Sequence, residues 1–288
     1  MIKKNKILLI LILFISLLLS AQDKTGHLLI IGGGSRPDYM MKKIIDLAGG
    51  PYANIIVIPN ASSEPIDVAE YQVNQLKELG AQNADYIFAK GDTLDADSTL
   101  AKLDGVTGIF FSGGDQSRLA ADLLNTKFLE RIKNIYKEGG VISGTSAGAA
   151  VMSEIMITGD EWINPDENDS FTTIMKGNVA HTPGFGFVTE AVIDQHFIYR
   201  KRHNRLISLV LENPDLLGIG IDESTAILVY PDRKFNVIGE YQVIVYDASE
   251  AENINTNEKK FFGAENIKMH VLNSGKKFDL IAKKVIHN

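Results

Sequence analysis

The chain has 288 residues, 45% hydrophobic, 23% charged and 8% aromatic. This is globular composition and excludes disorder, collagen and coiled coil. A formal charge of −7 argues against a nucleic-acid partner, and the absence of cysteine excludes a thiol nucleophile, an iron–sulfur cluster, any disulfide and an acylated lipoprotein cysteine.

At the N-terminus, Lys3, Lys4 and Lys6 form a positive n-region ahead of Ile7 to Leu19, a run of 13 residues that is apolar except for Ser16. Leu19-Ser20-Ala21 supplies small residues at a cleavage point. The pattern predicts a secretory signal peptide over residues 1–21. The run falls short of the ~20 apolar residues that span a bilayer, so no stable membrane insertion is expected after cleavage. Removing the segment leaves 267 residues and takes the formal charge from −7 to −10. The exported protein, periplasmic or extracellular, is then acidic, which suits a cationic or zwitterionic substrate.

Residues 22–288 read as a single α/β domain. His27 to Ile31 is a short apolar run ending at Gly32-Gly33-Gly34. A helix is predicted around Tyr39 to Leu47, a strand over Asn54 to Ile58, a helix over Val68 to Leu79 and a weak strand over Tyr86 to Ala89. Gly108 to Phe111 reads as a strand running into Gly113-Gly114-Asp115, Phe128 to Tyr136 as a helix, and Val141 to Ser143 as a strand before Gly144. This alternation predicts parallel strands with crossover helices and a site outside the strands' carboxyl ends, where the three glycine clusters fall. Asp160 to Phe187 reads as an irregular functional loop. Phe235 to Tyr246 and Lys268 to Leu280 read as antiparallel strands.

The glycine motifs differ in what they can do. Gly32 to Pro37 carries proline where a dinucleotide fingerprint needs Gly or Ala, so a tight turn lining a site is the better reading. Gly139 to Gly144 lacks the lysine of a phosphate-binding loop, since Thr145 stands in its place. Gly144-Thr145-Ser146-Ala147-Gly148 matches G-x-S-x-G between a strand and an apolar helix. Such a turn exposes the serine hydroxyl and aims the Ala147 N–H where an oxyanion would form, with help from the helix dipole.

A serine nucleophile needs a base and the base an orienting acid. His27, His270 and His287 lie in terminal or strand positions. His181 is a possible substrate contact in the loop, and His203 fits a solvated helix face. His196 ends the apolar run from Val192 and is followed directly by a basic cluster. For the acid, Asp222 and Glu223 follow the run Gly218 to Ile221 and point to opposite sides of an extended chain, so at most one faces the site; Asp160 and Glu161 compete from the loop. The order serine, histidine, acid is not that of α/β-hydrolases, so a different fold is expected to carry the same chemistry.

Together, Ser112-Gly113-Gly114-Asp115-Gln116, the turn around Ser146, Asp194-Gln195-His196-Phe197 with Arg200, Arg202 and Arg205, and Gly218 to Glu223 resemble the cyanophycinase family. That family is related to α-aspartyl dipeptidase and, in fold, to class I glutamine amidotransferases. The resemblance covers essentially the whole chain after the signal. It implies a flavodoxin-like α/β fold with a mostly parallel sheet, helices on both faces and antiparallel strands near the C-terminus, and a homodimer. It implies hydrolysis of cyanophycin, an aspartate polymer bearing arginine on each β-carboxyl, to β-Asp-Arg dipeptides. By motif position, Ser146 would be the nucleophile, His196 the base and Glu223 its acid. Gly114 and Ala147 would form the oxyanion hole, and Gln116, Asp194, Gln195, Arg200, Arg202 and Arg205 would bind substrate. Arginine suits an α-carboxylate because its planar fork binds in bidentate fashion. The alternatives are an Asp-preferring or β-aspartyl dipeptidase and, against the intact Ser146, His196 and Glu223, a non-catalytic binding protein. No cofactor or metal enters this reading.

Overall fold

The computed structural model describes residues 25–163 and 171–287, so the predicted signal segment lies outside the described residues. The larger sheet is built around five parallel strands: β1 (His27–Ile31), β2 (Asn54–Ile58), β3 (Asn83–Tyr86), β4 (Gly108–Phe111) and β5 (Val141–Thr145). The connection from β5 forms a hairpin, β6 (Ile155–Glu161) with β7 (Val179–Pro183), before the chain enters a second sheet through β8 (Ala191–Gln195) and β9 (Leu217–Ile221). β10 (Thr225–Val229) and β11 (Lys234–Gly239) return to the larger sheet, and β12 (Gln242–Asp247) to the smaller one. A small ribbon, β13 (Glu252–Thr256) with β14 (Phe262–Glu265), precedes β15 (Lys268–Asn273), β16 (Lys277–Asp279) and β17 (Lys284–Ile286). The larger sheet runs β17-β16-β11-β10-β1-β5-β4-β2-β3 and the smaller β15-β12-β9-β8. The helices are α1 (Asp38–Leu47), α2 (Pro65–Glu78), α3 (Asp97–Leu100), α4 (Gln116–Leu123), α5 (Lys127–Lys137), α6 (Ala147–Ala150) and α7 (His203–Glu212).

The layering follows from strand periodicity. Successive side chains of a strand point to opposite faces, so a strand covered on both sides reads as continuously apolar. In β1, Leu29 and Ile31 join Met40, Ile44, Val73 and Leu76 from α1 and α2 on one face. Leu28 and Ile30 face the other way, into a core shared with Ile132 and Ile135 of α5 and with Ile193, Ile219 and Val245 of the smaller sheet. The far face of the smaller sheet carries Val192 and Ile244 against Leu206, Leu209 and Val210 of α7. The two sheets therefore share one core, into which α4, α5 and α6 also pack, with α1 and α2 outside the larger sheet and α7 outside the smaller.

Most strands and helices form where the sequence pattern predicts them. Two expectations differ. The weak strand expected at Tyr86 to Ala89 lies earlier, at Asn83–Tyr86, paired in parallel with Asn54–Val57. The supposed irregular loop from Asp160 contains part of the β6–β7 hairpin, whose register slips between Ile157 and Glu161 and so breaks the alternation that marks a strand.

Candidate active site

Ser146 sits on the turn between β5 and α6, and its amide donates to the Ile31 carbonyl at 3.0 Å, tying the turn to the end of β1. Its backbone has φ 54° and ψ −112°, a conformation costly for a residue with a side chain and held here by the packed strand and helix on either side. The hydroxyl is half-buried and lies 2.9 Å from His196 Nε2. His196 follows the last residue of β8, and its Nδ1 lies 2.5 Å from Glu223 Oε1, just beyond β9. Asp222 points the other way. It is buried, and its Oδ1 accepts from the amides of Ile198 and Tyr199 at 3.1 and 2.9 Å. The opposite orientation expected of these two neighbours is what the structure has, and Glu223 is the one that faces His196.

The loop Gly32-Gly33-Gly34 is the floor beneath this chain of groups. The His196 amide donates to the Gly32 carbonyl at 2.7 Å and the Ser224 amide to the Gly33 carbonyl at 2.8 Å. Burial is the largest influence on the imidazole and lowers its pKa below the ordinary histidine value. The hydrogen bond that the ring donates to Glu223 opposes it, while Arg200 and Arg202 add to the lowering. The ring is therefore neutral at neutral pH, with Nε2 able to accept the Ser146 proton and Nδ1–H held by Glu223.

Ala147 opens α6, so its N–H has no intrahelical acceptor. The helix is a single turn, four residues long, so the dipole expected to assist is small, and the N–H itself is the group left to meet an oxyanion. Gly114 lies on the turn after β4 with φ 139°, and a Cβ there would meet the Ala61 carbonyl oxygen at 2.1 Å. Only glycine fits there; Gly114 lines the same cleft as Ser146, and the preceding Gly113 lies against the Ser146 side chain.

Ser146 opens into a cleft of about 590 Å³ whose walls include Gly114, Gln116, Gln195, Arg200 and Arg202. Gln116 Nε2 donates to the carbonyls of Ile157 and Thr158, which fixes the side chain in the cleft wall. Gln195 Oε1 is buried and has no hydrogen-bond partner among the described residues. Arg200 is exposed, and its amide donates to the His196 carbonyl at 3.0 Å, so it does stand one turn from His196 although α7 itself begins only at His203. Arg202 Nη1 donates to the Gln195 carbonyl at 2.6 Å. Burial, with Arg205 beside it, pushes the Arg202 pKa down to about 10, so it stays cationic at neutral pH.

Two residues expected to bind substrate lie beneath the cleft instead. Arg205 and Asp194 are 3% and 1% exposed and pair in bidentate fashion, Nε to Oδ2 at 2.7 Å and Nη2 to Oδ1 at 2.5 Å. They support β8 and α7 rather than line the opening. His203, expected on a solvated face, bonds the Tyr246 hydroxyl through Nδ1 at 2.8 Å and packs edge-on to Phe197. His181 is exposed on β7, with Nδ1 on the Val179 carbonyl, and does not line the cleft. Glu161 is buried and accepts from the Phe171 amide. The sequence reading missed Thr158 and Gly159 and named Asp160 only as a competing acid, whereas all three form one wall of the cleft. Its signal was Ile155-Met156-Ile157 followed by Gly159, an apolar strand start interrupted by a bulge glycine.

The model of peptidase family S51 matches residues 28–237. A protein named cyanophycinase from Trichormus variabilis is 33% identical over 268 residues, covering 90% of this chain and 87% of that one. One of the same name from Synechococcus elongatus is 34% identical over 273 residues, covering 91% and 81%. A crystal structure of a peptidase from an acI-B1 Actinobacterium superposes with a TM-score of 0.65 at 22% identity, covering 88% of this chain and 97% of the other, and shows the same fold. The chain belongs to peptidase family S51 and is a serine-type peptidase with a flavodoxin-like α/β fold.

Proposed function

We propose that this S51 peptidase hydrolyses cyanophycin to β-Asp-Arg dipeptides through an acyl-enzyme on Ser146. The observation that carries the reading is the unbroken relay from Ser146 Oγ to His196 Nε2 at 2.9 Å and from His196 Nδ1 to Glu223 Oε1 at 2.5 Å, opening on a cleft with Arg200 and Arg202 in its wall. The two relatives carrying the name cyanophycinase, at 33% and 34% identity, support the substrate class.

Each step follows from a named group. Ser146 Oγ attacks the backbone carbonyl of an aspartyl residue while His196 Nε2 takes its proton. Glu223 stabilises the imidazolium that results. The amides of Ala147 and Gly114 receive the negative charge that develops on the carbonyl oxygen. His196 then protonates the leaving amine, and the same base activates the water that frees Ser146. Arg200 and Arg202 attract the substrate carboxylates, and the free Gln195 oxygen accepts from a substrate N–H. The pattern of residues 1–21 supports an exported enzyme acting outside the cytoplasm.

Incubating the purified protein with insoluble cyanophycin and identifying soluble products tests the reading. β-Asp-Arg is expected. Hydrolysis of short aspartyl dipeptides with the polymer left intact would transfer the activity to a dipeptidase.

A further inference from the structure

The acidic residues around the site are almost all committed elsewhere. Glu223 holds His196, Asp222 holds the turn at Ile198 and Tyr199, Asp194 is closed by Arg205, and Glu161 is buried on the Phe171 amide. Asp115 is in the cleft wall, but its Oδ1 caps α4 by accepting from Ser117 and Arg118. Asp160 is different. It lines the same cleft as Ser146, Arg200 and Arg202, is exposed, accepts from the Thr158 hydroxyl at 3.5 Å, and among the described residues has no cation within salt-bridge distance.

Its placement is built by the fold. The register of β6 slips between Ile157 and Glu161, so Asp160 leaves the regular alternation of the strand. Gln116 holds this bulge from the α4 side by donating to the Ile157 and Thr158 carbonyls. Among the described residues the cleft thus carries two arginines and two carboxylates without a cation partner, of which Asp115 is tied to the start of α4 and Asp160 is not, and it adds the buried, unpartnered oxygen of Gln195. An occupant that satisfies all of these groups is zwitterionic, with a carboxylate toward the arginines and a many-donor cation toward Asp160 and Gln195. A guanidinium has the donors to satisfy both acceptors.

We infer that Asp160, presented by the β6 bulge, is the specificity residue that selects a guanidinium side chain on the substrate. This rests on the peptidase reading of Ser146 and on an arginine-bearing aspartyl substrate.

The test compares kcat/KM on a short β-Asp-Arg oligomer and on the same oligomer with citrulline, which keeps the shape and removes the charge. The wild-type protein is expected to prefer arginine by about tenfold, the lower end for a hydrogen bond to a charged group because Asp160 is exposed. In Asp160→Asn that preference collapses toward unity, and in Asp160→Glu, which restores the charge, it returns in part. A preference that survives Asp160→Asn overturns the assignment, as does a wild-type enzyme that cleaves both oligomers equally well. An equal fall on both substrates, with the ratio kept, would make Asp160 a mere support of the bulge and overturns it too. A wild-type protein that cleaves neither oligomer fails at the earlier step, the substrate class itself, and this assignment falls with it.

Discussion

The imidazole of His196 rests on Gly33. A Cβ at Gly33 would lie 2.3 Å from His196 Cε1, 2.4 Å from Nε2 and 2.9 Å from Nδ1, all inside any permitted contact, and the backbone there has φ +115°. The end of the first strand, more than 160 residues earlier in the chain, therefore sets the height of the proposed base. Gly33→Ala is expected to lift or tilt the ring and to lower kcat/KM by ~10² or more, the cost of about an ångström of misplacement. A variant within threefold of wild type would show that the ring has slack.

Ser146→Ala is expected to lower kcat by ~10⁶, with the fold intact because the half-buried hydroxyl supports no core. Steady-state assay on cyanophycin with a thermal melt alongside checks both halves. More than a tenth of wild-type turnover would remove Ser146 from the nucleophile's role.

Glu223 and Asp222 are adjacent in sequence and opposite in consequence. Glu223→Gln is expected to lower kcat by ~10⁴, as an amide does when it replaces the acid of a serine–histidine pair, and to leave the melting point nearly unchanged. Asp222→Ala removes the acceptor for two amides and is expected to destabilise the protein by about 1–3 kcal/mol. Reversed effects would exchange the two roles.

The arginines separate in the same way. Arg205→Met leaves the buried Asp194 carboxylate without its partner and is expected to cost about 3–5 kcal/mol in urea unfolding. Arg200→Ala, at an exposed position, is expected within about 0.5 kcal/mol of wild type in stability and to weaken substrate use instead. A stable Arg205→Met protein whose KM alone rises would return Arg205 to the substrate pocket.

The pH dependence follows from the state of His196. As a base the ring works only when neutral, so kcat/KM falls as pH drops through its pKa. Burial, with Arg200 and Arg202 nearby, lowers that pKa, so the acidic limb is expected to be centred below 6.5. Arg200→Gln removes one of the lowering charges and should move the limb upward. A limb centred above 6.5 in the wild-type enzyme would mean that Glu223 outweighs burial.

The sequence by itself determined the local features. Strands β1, β2 and β4 are apolar on both faces and so read as buried, β5 opens on Val141 and Ile142, and the turn around Ser146 is legible because glycine on either side permits a bend that other residues resist. His196 was legible from the basic cluster that follows it, and the motif set as a whole carried the resemblance. Tertiary structure alone decided which groups meet. Ser146 comes from the larger sheet while His196 and Glu223 come from the smaller one, and no local pattern encodes how two sheets pack. The resemblance singled out Glu223, but the residues read locally left it level with Asp222, since both sit at the same strand end and only the register against β8 and the Gly34 backbone tells them apart. Tertiary structure moved Asp194 and Arg205 from the cleft to the support beneath it, because charged residues read alike in sequence whether they face water or each other. It also brought Asp160 to the cleft through an irregular stretch of β6, where the step from Ile157 to Glu161 spans four residues against two on β7 and so interrupts the regular alternation of the strand.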